Sequence, residues 1–365
     1  MKFRCEKDAL VEALLTASRA VSGRNLSIAA LAGIHMRAEN DVLRLTGTDL
    51  DLTIQATVPV TTSEPGSTVI PARLITEIVK SLPSNTVVVE AESEEARISA
   101  GKAQFAVRTL SEEEYPRIDE PDNFTIKLPA GQIAEALRQV VRAASSDDAR
   151  PVLTGVLLAR HEKGLRLVAT DSYRLAIRDL AGAEVFQADE TVLVPSKALQ
   201  ELARALTSNQ DVGVSISDRE ITFSVGDIQL NSRLIEGQFP DYEALIPQNY
   251  PNRLRIDRDL LLEAVRRVKL LVRDTTTPTR IALRPDSVEL TVVSQEIGQA
   301  TEEVEAKYDG AEMTVAFNPA YLIDGLEAVA AGDVLIEMID ALKPATLKAD
   351  EAGEFLYLLM PVRVS

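Results

Sequence analysis

The residues that could perform chemistry are few. Two close acidic pairs stand out, Asp49 with Asp51 and Asp147 with Asp148. Paired carboxylates can bind Mg²⁺ or serve as acid and base. Each pair, however, lies near the end of a strand-like or helix-like run. Aspartate is favoured there because its side chain bonds the backbone of a turn, so turn formation is the expected role. The two histidines, His35 and His161, are too few for a His-rich metal centre. His35 alternates within an apolar stretch and reads as a strand residue. His161-Glu162 lacks the second histidine of a zinc-protease helix. The single cysteine, Cys5, excludes an internal disulfide and any CxxC motif, and reads as a small hydrophobe. No two of the 17 glycines are two apart, which removes the dinucleotide-binding fingerprint. No GxSxG is present, and no glycine stands in phosphate-loop spacing before a Gly-Lys pair. The expectation is a protein with no catalytic residue, no metal and no cofactor.

The elements around these residues carry more information. The 365 residues are 45% hydrophobic, enough for two or three domains that each bury a core. The sparse cysteine content suits a reducing, cytoplasmic setting. Residues 1–8 carry charges where a signal peptide needs an apolar run. No apolar stretch approaches the roughly 20 residues of a membrane helix, so no membrane partner is expected. Aromatic residues are 4% with no Trp, which leaves little to stack on single-stranded nucleic acid.

Internal repetition dominates the chain. Val69-Ile70-Pro71-Ala72-Arg73-Leu74, Leu193-Val194-Pro195-Ser196-Lys197-Ala198-Leu199 and Ala316-Phe317-Asn318-Pro319-Ala320-Tyr321-Leu322 place three prolines 124 and 124 residues apart. Each follows a strand-like run and opens an amphipathic stretch, where proline's missing N–H costs nothing. Leu43-Arg44-Leu45-Thr46-Gly47-Thr48-Asp49 matches Leu165-Arg166-Leu167-Val168-Ala169-Thr170-Asp171 at an offset of 122, and Tyr115-Pro116 matches Phe239-Pro240 at 124. The period is too long for a solenoid. The chain therefore reads as three copies of one domain, over residues 1–122, 123–246 and 247–365. Each copy runs strand, helix, strands, helix, strands, an α+β unit with two helices on antiparallel sheets. The polar, Pro-bearing stretches Tyr115 to Asn123 and Phe239 to Pro251 read as linkers. The first helix is amphipathic, with Ile133, Leu137, Val140, Val141 and Ala144 on one face of copy two and Leu261, Val265, Val268 and Val272 on one face of copy three.

Charge follows the same repeats. The net charge of −17 argues against a wholly basic surface. Yet residues 1–25, 127–150 and 253–273 together carry +7, and the rest of the chain −24. These are the first-helix segments. If the three helices line one surface they form a basic stripe able to attract phosphates without sequence preference.

At this point the motifs match a family. Leu-Thr-Gly-Thr-Asp-Leu at 45–50, Ala-Thr-Asp-Ser-Tyr-Arg-Leu-Ala at 169–176, Gly-Gln-Phe-Pro-Asp-Tyr at 237–242 and Leu-Leu-Met-Pro-Val-Arg at 358–363 resemble the bacterial DNA polymerase III beta subunit, the replicative sliding clamp. The resemblance spans the whole chain. It implies a non-catalytic processivity subunit of a DNA polymerase holoenzyme: a head-to-tail homodimer ring of six domains that encircles double-stranded DNA and slides on it. It further implies a pocket that binds linear peptide motifs of the polymerase alpha subunit, the clamp loader, other polymerases and repair proteins. The positions matching that pocket are Leu153, Thr170, Ser172, Tyr173, Arg174, Leu175, Pro240, Leu245, Asn318, Tyr321, Leu358, Met360, Pro361 and Val362. The chain-to-chain seam would involve Phe105, Val107, Leu270 and Leu271. For DNA, Arg24 matches a basic loop residue of the family and Lys197 a basic residue opening the second helix. Arg138, Arg142, Arg150 and Arg266 are assigned to DNA from helix position. Many members have Gly-His where this chain has Ser172-Tyr173, and basic residues where it has Glu243-Ala244. Two other classes remain open on residues alone: an enzyme using the acidic pairs, and an acidic scaffold that binds proteins but no DNA.

Overall fold

The computed structural model describes residues 1–365 except 22–27, 93, 119–122, 125, 163, 184, 187–189, 207–209, 274–276, 350–352 and 364–365. Among these residues six α-helices come two per sequence copy: α1 (Lys7–Ser18) and α2 (Ala72–Ser81), α3 (Ala130–Val140) and α4 (Ser196–Ala205), α5 (Arg258–Val268) and α6 (Pro319–Ala328). Antiparallel strands and a few short 3₁₀ turns form the other regular structure among the described residues, an α+β arrangement as the sequence leads one to expect. The repeated prolines mark the second helix of each copy. Pro71 and Pro195 directly precede α2 and α4, and Pro319 is the first residue of α6. The α6 start is also capped, since Asn318 Oδ1 accepts the Ala320 N–H at 2.9 Å.

The chain divides into two compact units, Met1–Gly131 with Gln200–Leu234, and Gln132–Leu199 with Ile235–Ser365. The cut passes through the middle copy because sheets run from copy to copy. In the first unit a five-stranded sheet has the order Thr61–Glu64, Lys2–Glu6, Thr86–Glu92, Glu95–Ala100, Ala103–Arg108. An eight-stranded sheet joins four strands of copy two (Ile126–Pro129, Asp211–Ile216, Glu220–Val225, Ile228–Arg233) to four of copy one (Leu52–Pro59, Val42–Thr48, Gly33–Glu39, Gly66–Pro71). The join is an antiparallel ladder from Ile228 opposite Ala56 to Ser232 opposite Leu52. In the second unit a nine-stranded sheet makes the equivalent join, Arg174–Ala181 with Phe355–Leu359, from Arg174 opposite Leu359 to Arg178 opposite Phe355. Other strands of copy three form a four-stranded sheet, one of whose two outer strands is Gly298–Glu305.

One core in the first unit gathers Leu10, Leu14 and Ala17 of α1 and Ile75 and Val79 of α2 against Phe3, Val87, Val89 and Ile98 of one sheet and Ile34, Met36, Leu43 and Leu45 of the other. Cys5 belongs to it, and burial pushes its thiol up to about 11. The expected linkers are docked at their starts. The Tyr115 hydroxyl donates to the Thr46 carbonyl at 2.7 Å, and its ring stacks on His35 at 5.3 Å. Phe239, at the matching position of copy two, packs on Val168, Leu175, Ile177 and Leu358.

The repeated Thr-Asp motif builds one turn twice. Thr48 Oγ1 accepts the Leu50 N–H, and Asp49 Oδ1 accepts those of Asp51 and Leu52. Thr170 Oγ1 accepts the Ser172 N–H, and Asp171 Oδ1 accepts those of Tyr173 and Arg174. Leu50 and Ser172 consequently take φ of 80° and 79°, a region that costs a side chain about 1–2 kcal/mol. Asp147 also bonds its own loop, accepting the Ala149 N–H at 3.1 Å. Asp49 and Asp147 thus serve turns.

Gly47 lies against the end of α1: a Cβ there would sit 2.1 Å from the Ala17 carbonyl oxygen. The backbone atom cannot yield without moving the helix. Gly47→Ala is therefore expected to destabilise the protein by roughly 1–3 kcal/mol, read as a lower urea midpoint, whereas Ala169→Gly at the matching position of copy two lacks this clash and leaves only a small loss.

Candidate functional sites at a sheet end and a helix cluster

The Thr170–Arg174 turn stands at one end of the nine-stranded sheet. The last residues of Phe355–Leu359 and the first of Ala345–Lys348 meet there, because Arg174 is opposite Leu359 and Leu359 opposite Ala345. The turn projects Tyr173, which is 58% exposed. The Met360 N–H donates to the Tyr173 carbonyl at 2.9 Å, and the Val362 N–H to the Ala316 carbonyl at 2.8 Å. These bonds hold the C-terminal strand beside the turn and beside the start of α6.

Below the turn the surface is apolar. Leu175 and Leu358 are buried with Val168 and Ile177, and Phe239, Tyr242 and Ile246 lie over them. Leu245 in the short turn Glu243–Leu245 stays exposed, as does Met360. That turn is anchored by Arg166, which bonds Asp179 through two oxygens at 2.6 and 2.8 Å and Glu243 at 3.3 Å. Glu243 thus has a local partner. Leu342 completes the sheet end and was not singled out from sequence. It is 65% exposed, in a turn where Asp340 Oδ1 accepts the Leu342 and Lys343 N–H groups. Its signal was a large apolar residue inside a polar turn.

Arg174 underlies this surface and is itself buried. Its guanidinium bonds Asp171 at 3.0 Å, Asp324 of α6 and the Arg142 carbonyl, and lies 4.4 Å from the Tyr321 ring centroid. Tyr173 stacks on the same Tyr321 ring at 6.3 Å. Burial works against the Arg174 charge, but the neighbouring Tyr357, Asp324 and Asp171 outweigh it and keep the group cationic. The structure thus brings together Thr170, Ser172, Tyr173, Arg174, Leu175, Asn318, Tyr321, Leu358, Met360, Pro361 and Val362. Leu245 lies on the covering segment, and Pro240 is exposed one residue past Phe239. Leu153 is buried in the single turn Pro151–Leu153.

The second cluster lies where α3, α5 and α6 meet. Arg142, just past α3, pairs with Glu327 of α6 and reaches Asp324 at 3.6 Å. Arg266 of α5 bonds Glu327 at 2.7 Å and Glu263 at 2.6 Å. Arg138 pairs with Glu135 and donates to the Glu327 and Ala328 carbonyls. Gln139 donates to the Ala328 carbonyl and Arg258 to that of Val329. The unpaired carbonyls at the end of α6 are thereby met by side chains of two other helices. Partial burial of Glu327 opposes its charge, but bonds from Arg266 and Arg142 hold its carboxyl below the ordinary range.

These positions revise the expected basic helix face. Among described residues α1 carries Lys7 against Asp8 and Glu12, α3 Arg138 against Glu135, and α5 Arg258, Arg266 and Arg267 against Asp259 and Glu263. The helices are close to neutral. The excess sits on the preceding strands, as at Arg253 and Arg255, and at helix C-terminal ends, as at Arg19, Arg142 and Lys269, where the helix dipole favours cations. Arg150 is not on a helix at all. It lies in the loop after α3, bonding Asp147 and the Ser172 hydroxyl at 3.1 Å, beside the apolar sheet end. Lys197 is in the first turn of α4, and Arg24 lies outside the described residues.

Three sheet-sharing copies of one two-helix unit, with an apolar site at a sheet end, define a three-domain clamp fold. The chain belongs to the DNA polymerase III beta subunit family: family models match its N-terminal domain over residues 1–119, its central domain over 127–241 and its C-terminal domain over 243–363. Curated relatives include the beta sliding clamps of Bacillus subtilis, 32% identical, and Streptomyces coelicolor, 34% identical, each alignment covering 100% of both chains. The crystal structure of the Bacillus subtilis DNA polymerase sliding clamp aligns over 100% of both chains with a TM-score of 0.93 at 32% identity. A Pseudomonas aeruginosa sliding clamp, solved bound to griselimycin, aligns over 100% of both with a TM-score of 0.91 at 29% identity.

Arg174 is the residue on which the sheet end and α6 both rest. Arg174→Met leaves Asp171 and Asp324 without their buried cation and is expected to cost about 3 kcal/mol, measured as a lower denaturant midpoint.

Proposed function

We propose that two copies of this chain close head to tail into a ring of six domains, with boundaries at 122/123 and 246/247, that encircles duplex DNA. The protein is a DNA sliding clamp for DNA polymerase III. The observation that carries the ring is strand equivalence. Inside the chain, Leu52–Pro59 of copy one pairs with Ile228–Arg233 of copy two, and Arg174–Ala181 of copy two with Phe355–Leu359 of copy three. The repeat offset makes Gly298–Glu305 the matching strand of copy three, and Ala103–Arg108 the matching strand of copy one. Both are outer strands. Pairing them between two chains repeats the internal join and removes two open edges. Glu302, Glu303 and Glu305 on one edge suit Lys102 and Arg108 at the other. Phe105 is exposed on its edge strand while Val107 is buried, and Leu270, 81% exposed in the turn after α5 with Leu271 beside it, awaits a cover.

Closure makes retention topological, so contacts with DNA need only be weak and blind to sequence. Arg24, Lys197, Arg138, Arg142 and Arg266 supply them in this reading, while Arg150 belongs to the rim of the peptide pocket. Leu175 and Leu358 floor that pocket. Tyr173, Leu245, Leu342 and Met360 wall it, and Asn318, Tyr321 and Val362 border it. A linear motif of the replicative polymerase, the clamp loader, another polymerase or a repair protein would seat an apolar side chain there. The chain itself performs no chemistry, and it works in the cytoplasm as a processivity subunit.

Solution mass should be about twice 39.7 kDa. After loading, the protein should stay on circular DNA and leave once the circle is linearised; equal retention on both would overturn the ring. Tyr173→His should weaken binding of a clamp-binding peptide by roughly three- to tenfold, because it replaces the phenol ring stacked on Tyr321 with a smaller, more polar imidazole; identical affinities in a titration would remove Tyr173 from the pocket. Arg24→Ala with Lys197→Ala should weaken duplex binding and flatten its salt dependence without altering sequence preference.

A further inference from the structure

The arginines assigned to DNA do not point freely outward. Arg142 and Arg266, from different copies, converge on one carboxylate, Glu327, and Arg138 is turned onto the carbonyls of the same helix end. Each arginine remains partly exposed, 54% for Arg142 and 45% for Arg266, so a phosphate can reach them. Ion pairs of this exposure are worth little and exchange readily. Glu327 is tethered on α6 between both cations and does not diffuse away when displaced.

We propose that Glu327 is an internal competitor for the DNA backbone: it occupies Arg142 and Arg266, so that each phosphate binds by displacing a tethered carboxylate that rebinds as soon as the phosphate moves on. This rests on the reading that these helix ends face the duplex. The balance matters because a clamp must hold DNA without holding any one stretch of it. Two free arginines would pin phosphates. Two arginines already satisfied give them up at almost no net change, and the ring moves. Glu327 thereby sets how loosely the inner surface grips.

The test compares the full-length dimer, Glu327→Gln and the double variant Arg142→Ala/Arg266→Ala on a fluorescent 30-base-pair duplex (a length of roughly three helical turns) across a salt series. Glu327→Gln should bind roughly three- to tenfold tighter at low salt, with a salt slope steeper by about 1–2, since each arginine freed for a phosphate releases a counterion. The double variant should bind more weakly with a shallower slope. If the double variant weakens binding while Glu327→Gln is unchanged, the surface faces DNA but Glu327 does not compete, and the proposal fails alone. If neither changes, the helix ends do not face DNA and both readings fail. Solution mass and melting temperature check that each variant remains a folded dimer. Should Glu327→Gln not fold, Glu327→Asp, which keeps the charge but withdraws it by one methylene, should still tighten binding; unchanged binding in that variant would overturn the proposal.

Discussion

A strand with an unpaired edge is the constraint on which the rest of this structure depends. Each copy of the repeat is too small to close its own sheets, and its outer strands carry N–H and C=O groups that need partners. Within the chain the solution is repeated: an outer strand of one copy becomes the neighbour of the last strand of the next. Sheets therefore ignore the sequence repeats, and the compact units cut through the middle copy. Helix packing, the docking of Tyr115 and Phe239, and the turns at the sheet ends all adapt to this arrangement.

The Thr-Asp turn shows how one local device serves two ends. In copy one it shapes a surface turn, with Leu50 forced into an unfavourable conformation. In copy two the same bonds raise Tyr173 and direct Arg174 inward, where it meets Asp324 of α6 and the Arg142 carbonyl. The apolar sheet end and the helix cluster that holds Glu327 are thus joined through Asp324 and Arg142. A cation buried against two carboxylates and an aromatic ring fixes that geometry more firmly than apolar packing, which tolerates repacking.

Much of this was legible in the sequence. The prolines at 71, 195 and 319 announce three helices because, within a helix, proline is tolerated in the first turn, and the Thr-Asp pairs announce turns because their side-chain oxygens accept backbone N–H groups of the residues that follow. The amphipathic spacing matches the buried face of α3 at Ile133, Leu137 and Val140; the expected continuation differs, since Val141 is buried in a 3₁₀ turn and Ala144, past that turn, is only half-buried. What was not legible was which side chains meet across copies. Glu327 carries no motif. Its importance arises from helix ends more than 50 residues away in sequence arriving at one point. Arg150 misled because charge spacing continues smoothly past α3, while the helix yields to a 3₁₀ turn at Val141–Ala143. Counting charge over whole segments hid the alternation between basic strands and near-neutral helices.

The lone thiol has a practical consequence. Cys5 is enclosed in the first core and its acidity is suppressed, so little thiolate forms at neutral pH. Cys5 should therefore react slowly with maleimides and mild oxidants while the protein stays folded. A cysteine pair engineered across any exposed seam would therefore react by itself, without first deleting the native residue. Selective locking of one seam at a time, with fluorophores reporting on the other, is open to this chain in its native background.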